Sequence, residues 1–223
     1  MIRRPPRSTL SSSSAASDVY KRQISPPAIT SLNKAAKMGG FAHNTGEGSL
    51  SPYHEKGGGD SIWQISTGYF GCRTKNGNFC RKQFSKKSKL DQVKMIEIKL
   101  SQGAKPGHGG MLLAEKVTEE IAETRGVEVG KDCISPSSHS EFSNPIQLLN
   151  FVEDLRKLSN GKPVGIKLCV GHPWELISII KAMVNTKKYI DFIDDNINDI
   201  FIENGFGYWK IEYLSSSFSK IAV

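Results

Sequence analysis

Two lysines and a glutamine leave the end of an apolar run within seven residues. Lys99 closes the run V-K-M-I-E-I-K, and Gln102 and Lys105 follow it in a loop rich in glycine. A lysine at a strand end can face the electron-rich edge of a bound cofactor, and another can pair with a substrate carboxylate. An ordinary exposed lysine loop does not explain the density of glycines. Lys167 repeats the pattern at the end of V-G-I-K, so both positions are candidate ligand contacts.

A second polar cluster follows the short apolar run 41–43. It consists of Asn44, Thr45, Gly46, Glu47 and Gly48. Glycines let backbone amides approach a ligand closely, while the glutamate offers a carboxylate within a flexible loop. Taken alone, the same five residues are also compatible with an ordinary turn.

Helical stretches alternate with short apolar runs from residue 24 onward, which indicates βα units around a parallel sheet. Helices are predicted over 26–39, 118–124, 145–158 and 174–184, and strands over 41–43, 62–66, 93–100, 132–135, 164–170 and the apolar run 189–193. In parallel α/β barrels the chemistry lies at the carboxyl ends of the strands. Both polar clusters stand at such ends.

Length and composition limit the classes of protein. The 223 residues are slightly fewer than the roughly 250 of a complete (β/α)₈ barrel. The chain is 38% hydrophobic and 23% charged, and no run approaches the roughly 18 apolar residues of a membrane span. We therefore expect a soluble chain that acts in the cytoplasm.

Half of the formal charge of +8 lies within residues 1–23. A second concentration of five basic residues lies in the lysine-rich segment 81–89, which is typical of a solvated surface loop. Nucleic-acid binding is therefore not expected.

The cysteines and histidines do not have metal-ligand spacing. They are Cys72, Cys80, Cys133, Cys169, His43, His54, His108, His139 and His172. We expect reduced thiols, no metal site and no ligands for an iron–sulfur cluster in this segment.

Several longer phrases carry a family resemblance. They are N-T-G-E-G, E-I-K-L-S-Q-G-A-K-P-G-H-G-G, K-V-T-x-x-I-A-x-x-R, I-S-P-x-x-H and V-G-I-K-L. In this order they resemble the FMN-binding central domain of glutamate synthases, above all the short, stand-alone proteins of that family. The resemblance implies an α/β fold, an incomplete (β/α)₈ TIM barrel of the FMN-dependent oxidoreductase type over residues 24–194. It also implies FMN-dependent reductive amination of 2-oxoglutarate, through 2-iminoglutarate, to glutamate.

The same resemblance implies roles for individual residues. Glu47, Lys99 and Gln102 would be catalytic, and Lys105 and Arg125 would bind the two carboxylates of 2-oxoglutarate. The cofactor-binding residues would be Asn44, Thr45, Gly46, Lys99, Gln102, Ser135, His139 and Lys167. Ammonia would be free or derived from glutamine, and NAD(P)H or ferredoxin would supply electrons through another domain or subunit. Any iron–sulfur cluster would belong to the full-length protein.

Three features depart from the family pattern. Met111 stands where longer glutamate synthases usually carry glutamine. Residues 1–23 resemble translated adapter sequence, and we expect them to be an artefactual leader. Residues 195–223 diverge from the glycine-rich phosphate-binding segment that the family would place after Ile193. We expect a frameshift or misjoined tail there and an inactive fragment. Another FMN-barrel oxidoreductase and a non-catalytic binding fragment remain the alternatives.

Overall fold

The computed structural model describes residues 26–100, 109–168, 170 and 172–195, and five strands within them form one parallel sheet. These strands are β1 (His43–Asn44), β2 (Ser61–Ile65), β3 (Val93–Lys99), β6 (Val164–Leu168) and β7 (Ile193–Asp195). They lie side by side in chain order. Two further short strands, β4 (Met111–Leu112) and β5 (Cys133–Ile134), form a separate antiparallel pair.

Helices precede β1 and connect each pair of neighbouring parallel strands. They are α1 (Pro26–Gly39), α2 (Pro52–Gly57), α3 (Arg81–Ser88), α4 (Glu119–Arg125), α5 (Pro145–Leu158) and α6 (Pro173–Thr186), with a 3₁₀ turn at Ala114–Lys116. Parallel strands require such crossover connections, since a tight hairpin would reverse the chain direction. The connection between β3 and β6 is the longest, because it contains α4, α5 and the β4–β5 pair.

Local capping explains why α4 and α5 begin where they do. Thr118 accepts a hydrogen bond from the backbone amide of Ile121, and Asn144 accepts one from the amide of Gln147 at 3.0 Å. These contacts satisfy amides that lack a partner within the first turn. Pro145 then occupies the first position of α5, where no amide hydrogen is needed.

Each central strand separates two environments. Ile96 and Ile98 on β3, like Ile166 on β6, are fully buried in the core that α3, α5 and α6 cover. The alternate positions of β3 are Glu97 and Lys99, which point to the opposite face because successive side chains alternate along a strand. The apolar core therefore lies between sheet and helices, and polar groups occupy the other face.

The polar face is concave. Asn44 on β1 donates a hydrogen bond to Glu97 on β3 at 2.9 Å, although β2 lies between these two strands. Neighbouring strands lie about 4.8 Å apart, so short side chains meet across an intervening strand only where the sheet curls towards them. The curled parallel sheet with helices on its outer face is an incomplete (β/α)₈ barrel, as predicted.

Two local predictions need correction. The strand predicted over 132–135 is present as β5, but it pairs antiparallel with β4 and does not join the parallel sheet. The lysine-rich segment 81–89 contains the helix α3, and its Phe84 stacks on Trp63 with ring centroids 5.4 Å apart. One buried aromatic side chain thus anchors a helix whose other face is basic and solvated.

A matched pair of isoleucines tests the position of the core. Ile166→Ala empties a fully buried site on β6 and is expected to lower the free energy of unfolding by about 2–5 kcal/mol. Ile177→Ala, at a half-exposed position of α6, is expected to change it by about 0.5 kcal/mol or less. Urea unfolding followed by circular dichroism measures both. Equal losses in the two variants would contradict this assignment of the core.

Candidate active site

Two buried lysines stand side by side at the carboxyl ends of neighbouring strands. Lys99 and Lys167 are partners in the register of β3 and β6, and their side chains are only 5% and 3% exposed. The ammonium of Lys99 lies 3.3 Å from a carboxylate oxygen of Glu47, and that of Lys167 lies 3.5 Å from one of Asp194. Each cation is therefore neutralised by a carboxylate from a different element.

The loop after β1 presents Glu47 to Lys99. The side-chain oxygen of Asn44 accepts a hydrogen bond from the amide of Gly46 at 2.8 Å, which closes a tight turn. Gly46 has φ 64°, a conformation that glycine adopts without strain. Thr45 accepts a hydrogen bond from the amide of Gln64 at 3.1 Å, so the turn is attached to β2.

Glu97 lies under this loop, and the sequence reasoning missed it. It is 1% exposed and accepts hydrogen bonds from Asn44 and Gln64. Burial raises the pKa of its carboxyl, and the negative charge of Asp194 raises it further. The signal in the sequence was a glutamate two residues before Lys99 in an otherwise apolar strand.

His139 holds the end of β3 by a hydrogen bond to the backbone of that strand. Its Nε2 lies 2.8 Å from the carbonyl oxygen of Lys99, and its Nδ1 lies 3.1 Å from the hydroxyl of Tyr69. Burial lowers the pKa of His139 to about 4, so the ring is neutral near pH 7. Since a carbonyl only accepts, Nε2 carries the hydrogen and Nδ1 accepts from Tyr69. The tyrosine hydroxyl in turn accepts from the amides of Ser140 and Glu141.

Ser135 packs against the end of the glycine-rich segment. The amide of Ser135 donates to the carbonyl of Gly110 at 2.8 Å. A Cβ added to Gly109 would lie 1.9 Å from the carbonyl oxygen of Ser135. That distance is far inside a van der Waals contact. At least one glycine of the motif therefore has a packing role that the sequence reasoning did not assign.

Arg125 is the last residue of α4 and lies beside the loop that follows β1. Its guanidinium lies over the ring of Phe70, 5.0 Å from the centroid, and a Cβ on Gly48 would lie 3.8 Å from its Nη2. It lines a cavity of about 180 Å³ together with Asn44 and Thr45. Glu47 thus pairs with Lys99, while the next residue, Gly48, lies beside Arg125.

Residues 10–194 match the family model described as a conserved region in glutamate synthase. The chain belongs to the glutamate synthase family. The glutamate synthase large subunit-like protein YerD of Bacillus subtilis (strain 168) is 50% identical over 167 residues, which are 74% of this chain and 31% of that protein. An archaeal-type glutamate synthase (NADPH) of Thermotoga maritima is 38% identical over 157 residues, 67% of this chain and 27% of that protein. The chain therefore spans less than a third of the length of these two relatives.

The curled sheet of this glutamate synthase-family chain brings most of the predicted site residues to one edge. Those that lie there in the described structure are Asn44, Thr45, Gly46, Glu47, Lys99, Arg125, Ser135, His139 and Lys167. Gln102 and Lys105 lie outside the described residues. Met111 lies on β4 and is 48% exposed.

One further polar group at this edge was missed. Ser66 directly follows β2 and is 2% exposed, and its hydroxyl makes no hydrogen bond within the described residues. A buried polar atom left without a partner points to a missing ligand or water. No sequence signal distinguishes this serine from the other serines of the chain.

The described residues contain no group of three or more metal-ligating side chains. Cys72, Cys80 and Cys133 are free thiols. Among the helices described for this chain, none is both long and apolar enough to cross a membrane.

Buried histidines make stability depend on pH. The ordinary pKa of histidine is 6.5. Burial is the main cause that lowers the pKa of His139 to about 4 and that of His54 to about 3. Above pH 6.5 the full stability is present. As the pH falls, the unfolded chain takes up protons that the folded chain does not, so stability is lost. Between pH 7 and 5.5 we expect the free energy of unfolding to fall by about 1 kcal/mol for each histidine.

Urea unfolding at these two pH values measures the loss. His139→Gln should reduce the fall in the free energy of unfolding by the share of this histidine. His172→Gln, at an exposed position, should show the same fall as the unmodified protein. An unchanged dependence on pH in His139→Gln would show that the folded protein binds this proton as readily as the unfolded chain does, and would contradict the lowered pKa.

Proposed function

We propose that this chain provides part of the active site of a glutamate synthase, which reduces 2-iminoglutarate, formed from 2-oxoglutarate and ammonia, to L-glutamate. The observation that supports it most is the pair of buried cations, Lys99 and Lys167, at neighbouring strand ends in a chain of this family. A dianionic keto acid and an electron-rich cofactor ring both require positive charge at such an edge.

The donor set fits the ring of FMN, which supplies hydride transfer when it is bound. Lys99 and Lys167 offer ammonium groups to an electron-rich ring edge, and the hydroxyl of Ser66 offers a further polar contact. Gln102 is proposed beside them. Both polar ends of the Asn44 side chain are occupied by protein groups, so we assign Asn44, Thr45 and Gly46 to the shape and backbone of the pocket. Ser135 and His139 border it.

Glu47 is proposed to move the proton that the reaction needs. Its carboxylate is 14% exposed and faces the Lys99 ammonium, so one oxygen can take a proton from ammonium or return one to the imine nitrogen. Lys105 and Arg125 are proposed to bind the two carboxylates of the keto acid. Paired cations at fixed spacing favour a five-carbon diacid over a monoacid.

The electrons are proposed to come from NAD(P)H or ferredoxin through another domain or subunit. The relative from Thermotoga maritima carries NADPH in its name. An iron–sulfur cluster would belong to that other part, ammonia would be free or derived from glutamine, and the reaction would take place in the cytoplasm.

The five parallel strands described here form part of an eight-stranded barrel. Open parallel edges leave backbone groups unpaired. We therefore propose that the 223-residue chain alone binds FMN weakly and forms little glutamate. A fusion that completes the barrel with the corresponding C-terminal part of the Bacillus subtilis relative should do both better.

Flavin titration tests the assignment of the lysines. Lys99→Met keeps the length of the side chain and removes the charge, so it is expected to raise the Kd for FMN about ten-fold. Lys94→Ala is the control, because Lys94 lies on the same strand with its side chain 51% exposed. Fluorescence quenching of FMN measures both. Equal Kd values for Lys99→Met and the unmodified protein would contradict the ring contact.

Anaerobic single turnover of the fusion tests the reaction. Mixing it with reduced FMN, 2-oxoglutarate and ammonium is expected to yield glutamate and oxidised FMN. Reaction with 2-hydroxy acids and oxidised FMN instead would favour another FMN-barrel oxidoreductase, and flavin binding without turnover of either class would favour a non-catalytic role.

Lys105→Ala tests the substrate contact in the same fusion. The variant should lose a charge-assisted hydrogen bond worth about 1.5–3 kcal/mol, which corresponds to a loss of about ten- to a hundred-fold in kcat/KM for 2-oxoglutarate. Its Kd for FMN should be unchanged, and Lys116→Ala, at an exposed position, should behave as the unmodified protein. A raised Kd for FMN with unchanged kcat/KM would instead place Lys105 at the flavin.

A further inference from the structure

Glu97 is a buried carboxyl group that the proposed reaction does not use. It is 1% exposed, and it lies two positions before Lys99 on the same face of β3. Burial of a carboxyl group is costly unless hydrogen bonds compensate it. An aliphatic residue at this position would avoid that cost. The contacts of the carboxyl group should therefore explain why a glutamate stands here.

Within the part of the chain that the structure describes, the two side chains that donate hydrogen bonds to Glu97 are both amides. Asn44 Nδ2 lies 2.9 Å and Gln64 Nε2 lies 2.5 Å from the same oxygen, Oε1. The carboxyl oxygen thus connects β1, β2 and β3 on the concave face of the sheet.

The orientation of Asn44 follows from these contacts. Its Oδ1 accepts the amide hydrogen of Gly46 at 2.8 Å, so Nδ2 must point to Glu97. If the amide were flipped, Nδ2 would face the Gly46 amide and Oδ1 would face Glu97, and both hydrogen bonds would be lost. Glu97 therefore selects the one orientation of Asn44 that closes the turn before Glu47.

We propose that Glu97 is a positioning residue, which through Asn44 fixes the loop that holds Glu47 against Lys99. The chain of contacts runs from Glu97 to Asn44, then to the Gly46 amide, and ends at the Glu47 carboxylate, 3.3 Å from the Lys99 ammonium. The consequence for catalysis rests on the proposed function. The positioning itself concerns only contacts within this chain.

Hydrogen exchange measured by mass spectrometry on the 223-residue chain tests the positioning. Glu97→Ala and Asn44→Ala should both accelerate exchange in peptides covering 44–48 about ten-fold, relative to peptides from β6. Glu97→Gln retains an acceptor oxygen of the same reach, so its exchange should stay close to that of the unmodified chain.

Asn33→Ala is the matched control. Asn33 is a fully buried amide that accepts from the Gly59 amide at 2.8 Å, before the start of β2. Its loss should lower stability without a selective change at 44–48. Unchanged exchange at 44–48 in Glu97→Ala, or an equal selective increase in Asn33→Ala, would overturn the proposal.

Single turnover of the barrel-completing fusion tests whether the positioning by Glu97 matters for the reaction. Glu97→Ala is expected to slow glutamate formation about ten-fold or more and to leave the Kd for FMN within about two-fold, and Glu97→Gln is expected to restore the rate. If the unmodified fusion forms no glutamate, the proposed function fails, while the exchange data still decide the role of Glu97. If glutamate forms and Glu97→Ala keeps the full rate, the positioning role in catalysis is wrong.

Discussion

Lys99 and Lys167 are neighbours in adjacent strands with almost fully buried side chains, so their like charges must be balanced within the protein. Two unit charges of the same sign about 5 Å apart would repel by roughly 3 kcal/mol at an effective dielectric constant of about 20. The loop after β1 supplies one balancing carboxylate, Glu47, and β7 supplies the other, Asp194. Both elements thus bring a carboxylate to a buried ammonium group.

The loop that carries Glu47 and the strand end that carries Lys99 are each held by further contacts within the protein. Asn44 shapes the loop of Glu47, and Glu97 orients Asn44 across the intervening strand. On the other side, His139 and Tyr69 fix the carbonyl of Lys99, so the strand end is held at its backbone as well as at its charge. A site that must present buried cations to a ligand gains precision from this support, because each charged group has a fixed partner before a ligand arrives.

The two faces of the sheet have different roles: one packs into the core and the other carries the candidate site. The outer face is an apolar core of isoleucine, leucine and aromatic side chains against α3, α5 and α6. The inner face carries the amides, carboxyls and ammonium groups. Because side chains alternate along β3, one strand supplies both faces, and Ile96 and Ile98 hold in place the strand on which Glu97 and Lys99 stand. The segment that matches the family model, residues 10–194, includes β1, β2, β3 and β6 and the start of β7.

The sequence alone determined the features that depend on neighbouring residues. The amphipathic pattern predicted α5 over 145–158, as the structure has it, and apolar runs located β2, β3 and β6 within a few residues. Lys99 and Lys167 could be placed at strand ends because each directly closes such a run. The catalytic, substrate-binding and cofactor-binding roles came from resemblance, and all of them stay predictions.

Only the tertiary structure decided the contacts between distant segments. The partners of Glu97 lie 33 and 53 residues before it, and Tyr69 meets His139 across 70 residues. The pairing of β4 with β5 and the burial of Phe84 on Trp63 likewise join separate parts of the chain. No local pattern encodes them, because a side chain's partner across a curled sheet depends on strand order and curvature, which arise only when the whole sheet packs against its helices.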